Sequence, residues 1–335
     1  MRSLLRTAVT TGLRHLSPVR LAAMADANPL CLVYHTVFDE APEHFSGLYR
    51  TRTVREFEDD LDELLRDFRP ISLFDITDSL SSHAVPANSF LLTFDDNNRE
   101  IAEVIAPILE RKGIPAVFFL CSAMLDNAAW FFEDQVALLI KKCKASGTVQ
   151  SLVESILKNT NQTLDCLLHG RQPRPELLKE AGDRVGIDWN AELQARQPYV
   201  SKAQVGKLID QGFAIGAHGI DHRFFETMDA NEQIRQIRES CDCMASTFGL
   251  KYRAFAFPYG EFGVSKSVLT TIQGQQIADI LFGTRGPVRD EFHPFVVQRL
   301  WCENRTNSLT DYLKTHLADR VYQHLRGKTR VSRNA

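Results

Sequence analysis

The chain has 335 residues, of which 44% are hydrophobic and 24% charged, with a formal net charge of −3. This is the balance of a globular chain with a packed core, and it excludes a disordered, fibrous or membrane-spanning protein. The slight acidity also argues against a nucleic-acid partner, which needs clustered Lys and Arg to neutralise phosphates; small-molecule and glycan substrates stay open.

Residues 1–28 form a basic N-terminal segment carrying Arg2, Arg6, Arg14 and Arg20 with no acid before Asp26. No apolar run there is long enough for a signal-peptide core or a membrane span, so a cytoplasmic protein is expected. Leu4, Leu5, Val9, Leu13 and Leu16 make one stripe of a helix. That stripe has three readings: docking on its own domain, a frayed or transit segment, or peripheral contact of residues 1–20 with the inner face of a membrane.

Seven short runs rich in branched and aromatic residues follow, most of them succeeded by helix-like stretches, the pattern of a βα-repeat fold. They are Leu30–Tyr34, Ser89–Phe94, Ala116–Leu120, Phe213–Ala217, Arg253–Phe257, Asp279–Gly283 and Phe295–Trp301. Val54–Phe68 and Asn98–Lys112 have helical apolar spacing against polar faces and should pack outside the sheet. Lys112-Gly113-Ile114-Pro115 and Gln211-Gly212-Phe213 each end a helix and begin a strand.

The stretch 122–198 breaks the repeat: Asp134–Lys144 reads as a helix, but no buried strand is evident, so an inserted helical subdomain or lid is expected. The barrel is thereby assigned to 29–121 and 199–302, with a C-terminal helix and basic tail over 303–335. The tail from Gly327 is expected to be disordered. Of seven cysteines only Cys241 and Cys243 are close, spaced C-x-C. Neither a disulfide framework nor a thiolate metal site follows, and buried free thiols suit a reducing compartment.

Three strand ends carry chemistry. Ser89–Phe94 runs into Asp95 and Asp96; carboxylates at the carboxyl end of a barrel strand have a functional expectation that other acids lack, although Asp also caps helices well. His218 and His222 follow the Phe213–Ala217 strand. At i and i+4 in a helical turn two imidazoles share one face and hold a Zn²⁺-type ion, with Gly216 allowing the backbone to turn. Phe257-Pro258-Tyr259-Gly260 is a turn that fixes backbone N–H groups in space. His83 and His169 stand without a second ligand and read as surface residues.

In order, Thr93-Phe94-Asp95-Asp96, His218-x-x-x-His222 and Phe257-Pro258-Tyr259-Gly260 resemble the first three signature motifs of the polysaccharide deacetylases, the NodB-homology carbohydrate esterases. The resemblance covers about residues 29–301 without the insertion. It implies a distorted (β/α)7 barrel in the α/β class and hydrolysis of N-acetyl groups on an amino sugar or glycan precursor, formamides and cyclic imides being the alternatives. It also implies Asp95 as base, Asp96, His218 and His222 as ligands of a divalent metal (Zn²⁺, with Ni²⁺ or Co²⁺ fitting the same donors), and the Tyr259 N–H as an oxyanion donor. Leu32-Val33-Tyr34-His35-Thr36-Val37 is similar to the opening of a subgroup in which that His, here His35, is the general acid; His293 is its rival. Asn97, Gly219 and Ala256 depart from the family pattern, which makes a non-catalytic glycan-binding barrel thinkable. Ala256 stands where many members have an Arg that orients the base, and Arg299 is the candidate substitute.

Overall fold

A computed structural model describes residues 2–82, 85–158 and 175–334. His83 and His169 lie outside the described residues. In chain order the strands are β1 (Leu30–Tyr34), β2 (Arg69–Pro70), β3 (Ser89–Asp95), β4 (Ala116–Leu120), β5 (Ala214–Ala217), β6 (Ala254–Ala256), β7 (Ile280–Gly283), β8 (Arg289–Asp290), β9 (Val296–Gln298), β10 (Leu300–Trp301) and β11 (Arg330–Val331).

The main sheet runs β10-β1-β3-β4-β5-β6-β7-β9, with every pairing parallel. Because β9 and β10 are separated by Arg299 alone, the sheet returns on itself as a nearly closed, distorted barrel of the α/β class. The run expected as one strand, Phe295–Trp301, is thus two. Its first half pairs with β7 and its second with β1, and at the changeover the Arg299 N–H donates to the Gly283 carbonyl at 3.0 Å.

Side-chain parity separates two cores, as it must when both faces of a strand are buried. Leu30, Leu32, Phe90, Leu92, Phe94, Phe118 and Phe255 face the outer helices. Cys31, Leu91, Val117, Phe119, Ala254, Ala256, Phe282 and Val297 fill the barrel with Leu73 and Ile76 of the helix Leu73–Ser82. Asp95 shares the parity of Leu91 and so turns inward at the top of this interior stack.

The helix Val54–Asp67 begins at a Thr53–Glu56 capping box, which satisfies two otherwise unpaired N–H groups. The expected helix Asn98–Lys112 starts later, as a π-helical turn Ile101–Ile105 followed by an α-helix from Ala106 to Lys112. Pro107 lacks the N–H that an α-helix would use there. Between β4 and β5 the helices Phe132–Ala145, Gly147–Lys158 and Pro175–Arg184 pack around their own apolar cluster of Val136, Leu139, Val153, Ile156 and Leu178.

At the amino-terminal end the reading of docking on the protein's own domain holds, and at the carboxyl-terminal end the expectation changes. Leu13 and Leu16, part of the stripe read as a possible membrane face, pack against the protein core, and Arg6 pairs with Asp319 of the C-terminal helix at 2.6 Å. Among the described residues no helix is long and apolar enough to cross a membrane. The tail expected to be disordered is instead docked: β11 pairs with β8, and Arg333, 2% exposed, meets Asp290 at 2.6 Å and Glu261 at 3.6 Å. Both carboxylates are fully buried, and a basic tail is what such a pair of charges recruits. Arg333→Met should cost on the order of 3–5 kcal/mol of stability, the penalty for stripping a buried ion pair of one partner. The denaturation midpoint measures it, and an unchanged midpoint would show that the tail is not docked in solution.

Candidate active site

The carboxyl ends of the strands converge on one cavity of about 400 Å³ whose lining includes His35, Asp95, Asp96, His218, His222 and Tyr259. Asp95 closes β3 in extended backbone, whereas Asp96 takes φ +71. That left-handed step is uncommon for a residue with a Cβ, and it brings two adjacent carboxylates to the same cavity. His222 and Tyr259 also have positive φ, each +56. Three unfavourable backbone conformations in one site are strain of the kind that the surrounding structure must hold in place.

The two histidines do meet, but through a loop and not a helical turn. Residues 218–224 have no helical structure; Gly219 at φ +82 turns the chain, which a Ser or Thr at that place would do only under strain. Gln236 holds the loop by accepting from the Ile220 N–H at 2.8 Å. Gly216 serves another purpose than the turn expected of it: a Cβ there would stand 2.4 Å from the Phe119 ring and 2.9 Å from the Ala254 carbonyl, so it is needed for close strand packing.

Asp96 Oδ1 lies 3.3 Å from His222 Nε2 and 3.6 Å from His218 Nε2, and one donor atom from each residue falls within 4.8 Å of the others. Asp96 Oδ1 is buried without a hydrogen-bond partner, a costly state for a carboxylate oxygen unless a cation completes it. His218 Nδ1 is 2.8 Å from the Ala256 carbonyl; a proton there leaves Nε2 as the free lone pair, as in other metal-ligating histidines. Burial lowers the His218 pKa to about 4, against the pull of Asp95 and Asp96, so the imidazole is neutral and able to ligate. His222 Nδ1 stands 3.8 Å from Glu133. The donor set of one carboxylate and two imidazoles fits a divalent ion.

Asp95 is gripped by Arg299, whose Nη1 and Nη2 reach Oδ1 and Oδ2 at 2.6 and 2.7 Å. Arg299 is itself fully buried, packed near the Phe119 and Phe282 rings and donating to Thr93 Oγ1 at 2.9 Å. Burial works most strongly against the Asp95 charge, but the Arg299 guanidinium, with His218 and His35, together outweighs it and lowers the pKa below the ordinary value. A two-pronged Arg–carboxylate pair fixes direction as well as charge.

His35 lines the same cavity, and its Nδ1 lies 2.7 Å from Glu303 Oε2. Glu303 also accepts from the His35 and Thr36 N–H groups at 2.7 and 2.8 Å and from Trp301 Nε1 at 3.0 Å. Burial would depress the His35 pKa; the Glu303 carboxylate, with Asp96 and Asp95, overrides it and raises the value to about 9. The rival His293 lies elsewhere, in a cavity with Leu30, Cys31 and Val297 at the amino-terminal ends of β1 and β9. Removing the charge with Glu303→Gln should therefore move the alkaline limb of the pH–rate profile down by about one to three pH units. An unmoved limb would show that His35 is not the group titrating there.

Glu303 and Glu133 were not singled out from the sequence. Glu303 had a signal, since it lies two residues after the last strand-like run. Glu133 had none, being one acid at the start of a predicted helix. Asn97, one of the departures from the family pattern, bonds the Cys121 backbone twice, at 2.8 and 3.1 Å, and ties the end of β3 to the end of β4. Of the three aromatics 130–132, Trp130 donates to the Trp189 carbonyl and Phe132 packs in the insertion's core, while Phe131 meets the His222 ring edge-on at 5.1 Å.

A nearly closed parallel barrel with one carboxylate and two imidazoles at its strand ends defines an α/β-barrel protein with a candidate divalent-metal centre. The family model described as Polysaccharide deacetylase matches residues 82–274, more than half of the chain, and the chain belongs to that family. Its fold is similar to that of the Streptococcus pyogenes deacetylase PplD, solved in complex with acetate. That likeness has a TM-score of 0.56 and 14% identity, over 86% of this chain and 97% of that one. IcaB from Ammonifex degensii gives 0.53 at 17% identity, over 87% and 96%. A de-N-acetylase from Aggregatibacter actinomycetemcomitans gives 0.53 at 18%, over 85% and 98%. No curated protein matches the chain significantly.

Proposed function

We propose that the chain is a metal-dependent hydrolase that removes the N-acetyl group from an amino sugar or glycan precursor. The observation that carries this reading is the buried, unpartnered Asp96 Oδ1 facing two imidazole Nε2 atoms beside a carboxylate locked by Arg299. Asp96, His218 and His222 would hold the ion, Zn²⁺ fitting the donors and Ni²⁺ or Co²⁺ able to replace it. When bound, such an ion polarises the acyl carbonyl and acidifies water.

The protein's own groups do the remaining work. Asp95, kept ionised and aimed by Arg299, accepts the proton of the attacking water. The Tyr259 N–H, held by the strained turn after β6, donates to the oxygen that gains charge. His35, kept protonated at neutral pH by Glu303, delivers a proton to the departing amine. Its supply fails as pH rises through the raised value of about 9. Aromatic and aliphatic walls from Phe45, Leu48, Tyr49 and Phe131 limit bulk water in the cavity. All six cysteines among the described residues are free, which supports a reducing compartment.

The test is acetate release from N-acetylated sugars by the Zn²⁺-loaded protein, abolished by chelation and restored by metal. Formate release in its place would change the acyl group, and metal-independent turnover would overturn the proposal.

A further inference from the structure

We infer that the cavity is a dead-end cleft which takes the terminal residue of an N-acylated glycan, or a free N-acylated sugar, and refuses residues inside a polymer. The inference rests on the hydrolase reading above and adds the position at which the enzyme acts.

Three segments rise from consecutive strands of the sheet on one side of the cavity. The segment after β1 contributes Phe45, Leu48 and Tyr49; the one after β3 contributes Asn98; the one after β4 contributes Phe131 and Glu133. They are knit to one another. Glu43 pairs with Lys141 at 2.7 Å and with Arg196 at 2.9 Å. His44, 6% exposed, lies with its ring 6.2 Å from that of Trp130. Beneath that clasp the Arg99 N–H donates to the Pro198 carbonyl at 2.9 Å, and the Val200 N–H to the Asn97 carbonyl at 2.8 Å. Any one exposed ion pair contributes little. Here two pairs, a buried ring and two backbone hydrogen bonds close the same side.

A residue inside a polymer reaches a catalytic centre only along a groove open at two ends. In this cavity one end is shut above β1, β3 and β4. Approach is left to the side of β6, β7 and β10, where Tyr259, Thr284 and Trp301 form the rim and Trp301 is 37% exposed. An amphipathic ring at that place suits stacking against the face of a sugar that remains outside. The volume, about 400 Å³, lies in the range of small-ligand pockets. Among the described residues the lining includes Asp95, Asp96, Glu133 and Asp134 and neither Lys nor Arg, so the admitted residue carries no negative charge, and any phosphate-linked group stays outside.

The experiment is to incubate the Zn²⁺-loaded full chain with linear N-acetylglucosamine oligomers from disaccharide to hexasaccharide and to locate each lost acetyl group by tandem mass spectrometry. Loss confined to one terminal residue, with a preference above about tenfold over internal ones, is expected. Loss at internal residues at comparable rates overturns the dead-end cleft and leaves the hydrolase reading intact. An absence of loss from every oligomer and from free N-acetylglucosamine, by a protein that takes up Zn²⁺, overturns both the cleft and the deacetylase reading. Failure to take up Zn²⁺ overturns the underlying reading instead. Opening the clasp with Glu43→Ala and His44→Ala should raise internal relative to terminal deacetylation by at least about tenfold; an unchanged ratio would refute the clasp as the barrier.

Discussion

Asp95→Asn is expected to lower kcat by about 10²–10⁴-fold while Zn²⁺ uptake stays as in the unaltered protein. The amide keeps the size of the carboxylate and one acceptor for Arg299, but it cannot take a proton from water. The metal would be held by Asp96, His218 and His222, so their affinity should not follow the loss of turnover. The substitution also leaves the buried Arg299 charge half-compensated, so stability falls by a few kcal/mol on the scale of broken buried pairs. Activity and metal uptake are therefore to be compared below the unfolding range, checked by circular dichroism. Turnover within a few fold of the unaltered enzyme would show that another group collects the proton.

Arg299→Met removes the other half of the pair and tests a different consequence. Asp95 now has a lowered pKa because Arg299, with His218 and His35, outweighs its burial. The carboxylate therefore contributes stability above its unfolded value, and that contribution is lost as pH falls through the lowered one. With Arg299 gone, burial is opposed only by His218 and His35 and the pKa rises. Stability at neutral pH should drop by about 3–5 kcal/mol. The acid limb of the pH–rate profile should move upward, so that part of the lost activity returns at higher pH. Arg299→Lys keeps the charge without the two-pronged geometry and should fall between. An acid limb that does not move would mean that Asp95 is not the titrating base.

The barrel was legible because its strands are apolar on both faces. Leu30–Tyr34 and Ala116–Leu120 have the bounds read from the sequence, and the others except Phe295–Trp301 differ by one residue at one or both ends. The paired strands β2, β8 and β11 were not legible, being two residues each and set by what lies beside them. The break at Arg299 was hidden for a related reason: a residue that changes its pairing partner leaves no mark in a hydrophobic pattern. At the site, the convergence of Asp96, His218 and His222 followed from motif order. The route did not, because the positive φ of Asp96 and His222 is imposed by the surrounding chain. Glu303 escaped because its use depends on burial beside His35 and Trp301, and burial is tertiary. The docking of Arg333 escaped likewise, since the sequence shows a basic tail but not the two carboxylates folded against it.

The most direct measurement is calorimetric titration of the metal-free protein with Zn²⁺, repeated on Asp96→Ala, His218→Ala and His222→Ala. One ion per chain, with affinity lost in each variant while the circular dichroism spectrum is kept, is the predicted result. A protein that takes up no ion, or variants that bind it as well as the unaltered chain, would contradict the assignment.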